Sequence, residues 1–83
     1  MDYKITFKKS VAKDLKKISP ENVNRVLNKI SVDLPSKADL LPVLQEQFSG
    51  LKKFRVGDYR IIFTIIDSIL ILRVQHRKEV YRD

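Results

Sequence analysis

The chain has 83 residues, enough for one small core, and a single domain over 1–83 is expected. It has no cysteine and one histidine, which excludes disulfides, thiolate metal sites and a histidine-rich zinc site; no cofactor is expected. Seventeen Lys and Arg face ten Asp and Glu, a net charge of +7, so polyanions are the favoured partners. The opening "MDYKITFKKS" puts charges where a signal peptide needs an apolar run, so a cytoplasmic protein without a membrane partner is expected.

In chain order, "YKITF" (3–7) alternates and reads as a strand. Ser10 then precedes a helical stripe of Val11, Leu15 and Ile18, with Lys13, Lys16 and Lys17 on the other face. Ser19-Pro20 ends that helix and starts another, because serine caps well and proline suits the first helical position. Val23, Val26, Leu27, Ile30 and Leu34 form the second apolar stripe. Residues 35–50, with Pro35, Pro42 and Gly50, read as a connector in which "LLPVLQEQF" forms at most a short helical turn. The last third is strand: 51–56, 59–66 and 69–76. Asp67 and Ser68 interrupt the apolar run, so it reads as paired strands rather than a membrane span. The predicted fold is α+β, a mostly antiparallel sheet with two N-terminal helices on one face, in the order β-α-α-β-β-β.

Gly57-Asp58 is a strong two-residue hairpin signal, since Gly supplies the positive φ. It pairs Val56 with Tyr59, Arg55 with Arg60 and Lys53 with Ile62. One face then carries Phe54, Val56, Tyr59, Ile61, Phe63 and Ile65, a core face for the helices. With Asp67-Ser68 as a second two-residue turn, Leu70, Leu72 and Val74 join it. Lys53, Arg55, Arg60, Arg73 and, one step on, Arg77 collect on the opposite face. Like charges directly opposed on a sheet are destabilising, so Arg55 against Arg60 breaks a local rule. Each arginine alone reads better as a side chain splayed into water or neutralised by Asp58 or Glu79. The whole cluster on a basic chain points to a phosphate site.

RNA carries its own nucleophile, the 2′-OH. Cleaving it needs a base, cations for the charge building on phosphorus, and an acid for the leaving 5′ oxygen. The cations are present, and His76 and Tyr81 could move protons or stack on a base. Strict alternation puts His76 on the core side, and a lone His or Tyr is usually structural. A plain binding module therefore stays open at this level.

"LKKFRVGDYRIIF" followed by "LRVQHRKEVY" resembles the signature of RelE-like toxins in the RelE/ParE superfamily, and the element order fits along nearly the whole chain. The resemblance implies a cytoplasmic toxin that cuts mRNA in the ribosomal A site, giving a 2′,3′-cyclic phosphate and a 5′-OH. It implies the ribosome and mRNA as partners and neutralisation, in a hetero-oligomer, by an acidic RelB-like antitoxin. By position, Arg60 of "DYR" is expected to hold the scissile phosphate and Lys53 to stabilise charge or transfer a proton. Arg77 is expected at the leaving group, Tyr81 against a base and His76 in proton transfer. Lys52, Arg55, Arg73 and Lys78 complete the phosphate-binding set. Some members carry a second lysine where this chain has Leu51, which leaves the general base open. The alternatives are a ParE-like inhibitor of DNA gyrase without nuclease activity and an inactive basic binding module; "HRKEVY" favours the nuclease.

Overall fold

The computed structural model describes residues 3–41, 50–76 and 78. Four strands form one sheet: β1 (Ile5–Phe7), β2 (Lys52–Val56), β3 (Tyr59–Ile65) and β4 (Ile69–His76). Two main helices, α1 (Lys9–Lys16) and α2 (Pro20–Val32), precede a short α3 (Leu34–Lys37) and a 3-10 turn, Ala38–Leu40. The strand order is β1-β4-β3-β2. β1 lies parallel to β4 and the other pairs are antiparallel, giving the expected α+β class.

The helices cover one sheet face because their apolar stripes have no other surface to bury. Val11, Val26, Ile30, Leu34 and Ala38 meet Phe54, Val56, Ile61, Phe63, Ile69, Ile71 and Val74 in one core. Ser19 is the N-cap of α2 and Pro20 its first residue, as predicted. Ser10 is not a cap: α1 starts at Lys9, and the Ser10 hydroxyl donates to the carbonyl of Leu72 at 2.7 Å. The first part of the expected connector is also helical. Leu34 and Ala38, one turn apart, are buried and carry the apolar stripe past the end of α2. The "LLPVLQEQF" turn falls mostly on 42–49, outside the described residues.

The Gly57-Asp58 hairpin has the predicted register, including Arg55 opposite Arg60, and Gly57 has φ 57°. The next loop differs. Ile65 pairs with Ile69, so the loop is Ile66, Asp67 and Ser68, closed by a 2.9 Å bond from the Ile66 N–H to the Ser68 carbonyl. Ile69 and Ile71 therefore enter the core, whereas Leu70 and Leu72, expected there, are only half-buried. The register then shifts between Ile62 and Phe63, leaving Leu72 as an extra residue. That bulge cancels the longer loop. From Ile62–Arg73 to Tyr59–His76 the pairing is again the predicted one.

β1 ends at Phe7, while β4 continues to His76. Along that stretch α1 takes over the open edge of β4. The Lys8 N–H donates to the Ile71 carbonyl at 2.9 Å, and Ser10 takes the Leu72 carbonyl. The Asp14 carboxylate then accepts the Val74 N–H at 2.8 Å. Nε and Nη2 of Arg73 donate to the same carboxylate at 2.9 and 3.0 Å. Asp14 is 6 % exposed, the buried charged residue among those described.

Burial pushes the Asp14 carboxyl pKa up, but bonds from Arg73 and the Val74 N–H, with the charges of Arg73 and Lys17, outweigh that and hold it below its ordinary value. Asp14→Ala leaves the buried Val74 N–H without its acceptor and removes both bonds from Arg73. It is expected to lower the unfolding free energy by about 2–3 kcal/mol in urea titrations. The advantage of the native chain over Asp14→Ala should be full above the unfolded carboxyl pKa of about 3.9 and be lost as the pH falls from there through the lower folded value.

Candidate nucleic-acid interface

The sheet face away from the helices carries Lys53, Arg55 and Arg60, set there by the alternation that buries Phe54, Val56 and Ile61. Arg55 is exposed, and Lys53 and Arg60 are half-buried. Arg60 and Arg55 are direct cross-strand partners. The Arg60 Nε is buried and has no hydrogen-bond partner among the described residues. A buried guanidinium donor opposite a second guanidinium is what an anion would satisfy. Ile62, 7 % exposed, and the half-buried Leu70 share this face and give it apolar ground between the cations.

The other candidates are placed differently. Lys52 turns toward the helices, and its ammonium donates to the carbonyls of Ala38 at 2.9 Å and Asp39 at 3.4 Å, tying the 3-10 turn to β2. Arg73 sits opposite Ile62 as predicted, yet its guanidinium reaches round the sheet edge to Asp14. His76 pairs with Tyr59 on the helix side, the side strict alternation indicates. Their rings meet edge to face, with centroids 5.2 Å apart and planes at 88°. The His76 Nδ1 accepts the Lys78 N–H at 3.1 Å. Lys78 is exposed, while Arg77 and Tyr81 lie outside the described residues. The structure thus brings Lys53, Arg55 and Arg60 together and separates them from Lys52, Arg73 and His76.

Asp14 escaped the sequence reading, although a signal was present. It is the acidic residue of α1, three positions after the buried Val11 and in step with the apolar stripe.

The family model described as the ParE toxin of type II toxin–antitoxin systems, parDE, matches residues 5–81. The chain belongs to the RelE/ParE toxin superfamily. It is 30 % identical to toxin RelG of Mycobacterium tuberculosis over 86 residues, covering 99 % of both chains. Among solved structures, it is similar to a chain of the M. tuberculosis RelBE2 toxin–antitoxin complex, with TM-score 0.84, 27 % identity and 93 % of each chain covered. A chain of the Methanococcus jannaschii RelB–RelE complex matches with TM-score 0.65 and 26 % identity, over 90 % of this chain and 93 % of that one. The protein is a toxin of the type II toxin–antitoxin class with the fold of those relatives. No helix among its described residues is long and apolar enough to cross a membrane.

Two substitutions separate structural from free cations in this toxin. Lys52→Ala removes a bond to a half-buried turn and is expected to cost about 1 kcal/mol of stability. Arg60→Ala removes a like-charge neighbour and a donor unpartnered among the described residues, so the unfolding free energy should stay within about 0.5 kcal/mol of the native value or rise. Denaturant midpoints of both proteins check the contrast.

Proposed function

We propose that this toxin is a ribosome-dependent endoribonuclease that cuts mRNA in the A site. The observation that carries the reading is the buried Arg60 Nε, without a hydrogen-bond partner among the described residues, opposite Arg55 on a sheet face that also presents Lys53. A phosphodiester there satisfies the donor and removes the repulsion. In the reaction the 2′ oxygen attacks phosphorus and the bond to the 5′ oxygen breaks. The 2′-OH proton passes to a base, a proton is delivered to the leaving 5′ oxygen, and the products are a 2′,3′-cyclic phosphate and a 5′-OH. Arg60 and Arg55 hold the phosphate, and Lys53 opposes the charge that builds on its oxygens. Arg77 serves the leaving group and Tyr81 stacks on a base, roles that rest on the match of "HRKEVY" to the RelE pattern. The likeness to RelG and to the RelE-type chains supports this reading. An antitoxin, as in the RelBE2 and RelB–RelE complexes, is the proposed partner, and the net charge of +7 favours an acidic one.

A second reading has its own support, because the matching family model is the ParE one. On that reading the basic face inhibits DNA gyrase and nothing is cut. The two are separated by adding the purified toxin to translating ribosomes and, in parallel, to a gyrase supercoiling reaction. The expected result is mRNA broken at A-site codons with unchanged supercoiling; the reverse pattern overturns the nuclease.

Within the nuclease reading, Arg77→Ala is expected to lower the cleavage rate on the order of 100-fold or more while the protein stays folded. Single-turnover cleavage on programmed ribosomes, with a thermal melt as the folding check, measures this. Antitoxin binding should be fast at low salt and slow markedly as salt is raised, since opposite fields steer the encounter; stopped-flow association rates at several ionic strengths test it.

A further inference from the structure

At the end of the sheet where Arg55 and Arg60 lie, the helix side holds a cleft of about 330 Å³. Tyr59, Val74 and His76 line it from the strands, and Lys17 and Ile18 from the end of α1, with Lys78 beside them. Asp14 also borders it, but that carboxylate is taken up by Arg73 and the Val74 N–H. The side chains exposed at the rim, Lys17 and Lys78, are cationic.

The two rings are held in place. Tyr59 and His76 are opposed across β3 and β4 in T-shaped contact, and the Tyr59 hydroxyl accepts a 3.3 Å bond from the Asn22 side chain. The His76 Nδ1 lone pair is already used by the Lys78 N–H, so in the neutral ring the proton sits on Nε2. An imidazole engaged in this way is better placed to offer a ring surface than to accept a substrate proton at Nδ1.

Aromatic surfaces, aliphatic walls from Ile18 and Val74, and two ammonium groups at the rim form a slot for a flat heterocycle carrying an anionic group. The slot adjoins the cationic face. Arg60–Gln75 and Tyr59–His76 are successive register pairs, so only one residue step, about 3.3 Å along the strand, separates them. Arg25 of α2 adds positive charge on the way round: a Cβ at Gly57 of the hairpin turn would lie 3.4 Å from its Nη2.

We propose that this cleft is a nucleotide subsite. It takes the base of the nucleotide next to the phosphate held by Arg55 and Arg60, packs it against Tyr59 and His76, and sets its own phosphate against Lys17 and Lys78. The RNA thus laps round the strand end, and His76 acts as a binding surface. The proposal rests on the nuclease reading for the identity of the polymer, but the chemistry of the cleft stands on its own residues.

The test is an NMR titration of the full chain with adenosine 5′-monophosphate and, separately, with inorganic phosphate at matched ionic strength. One histidine in the chain makes its imidazole signals unambiguous. The ring signals of His76 and Tyr59 are expected to move saturably with the nucleotide and not with phosphate. Lys17→Ala combined with Lys78→Ala, both exposed, should weaken binding at least fivefold with the amide spectrum retained. His76→Phe should keep the nucleotide affinity within twofold, and His76→Ala should lose at least fivefold. Shifts confined to Lys53, Arg55 and Arg60, or equal ring shifts with phosphate alone, overturn the subsite and leave the nuclease reading untouched. Ring shifts from a protein that cuts no mRNA on translating ribosomes uphold the cleft as a nucleotide site and overturn the nuclease reading.

Discussion

The geometry of the working end depends on one buried carboxylate. β1 is three residues long and β4 is eight, so beyond Phe7 the edge of β4 has no strand beside it among the described residues. An unpaired edge is a loss of backbone hydrogen bonds and an invitation to wrong pairing. α1 closes it with side chains, Ser10 donating to the Leu72 carbonyl and Asp14 accepting from the Val74 N–H. Asp14 stays ionised in this buried place because Arg73 meets it with two nitrogens. The interaction fixes β4 just past its bulge and two residues before His76. The strand end, the Tyr59–His76 pair and the cleft beside them all follow from that placement.

The fold sorts a large positive charge into two kinds. Lys52 and Arg73 are consumed by the structure, one on helical carbonyls and one on Asp14. Lys53, Arg55 and Arg60 share the face opposite α1 and α2, and the Arg60 Nε remains without a partner there among the described residues. A net charge of +7 makes encounter with a polyanion fast. On the proposed function, the stereochemistry of phosphate binding comes from Lys53, Arg55 and Arg60.

The hairpin of β2 and β3 was legible residue by residue. Gly57-Asp58 suits a two-residue loop, and a period of two then assigns every side chain from Lys53 to Phe63 to a face. Arg55 against Arg60 followed directly. The second loop was not legible, because Asp-Ser does not select a turn length. The three-residue loop moved Ile69 and Ile71 into the core in place of Leu70 and Leu72, and the bulge restored the register before it reached the site. Two compensating irregularities leave no mark in an apolar alternation.

By itself, then, the sequence determined the net positive charge, the two helical stripes, the face that carries Arg60 and the helix-side position of His76. These depend on charge count, local periodicity and one glycine turn, all properties of neighbouring residues. Tertiary structure alone decided the parallel pairing of β1 with β4, the bond between Asp14 and residues 59 and 60 positions further along the chain, the capture of Lys52 by the 3-10 turn and the cleft between Lys17 and His76. Each of these joins segments far apart in the chain, and their contact is set by how the whole core packs, which no local pattern encodes.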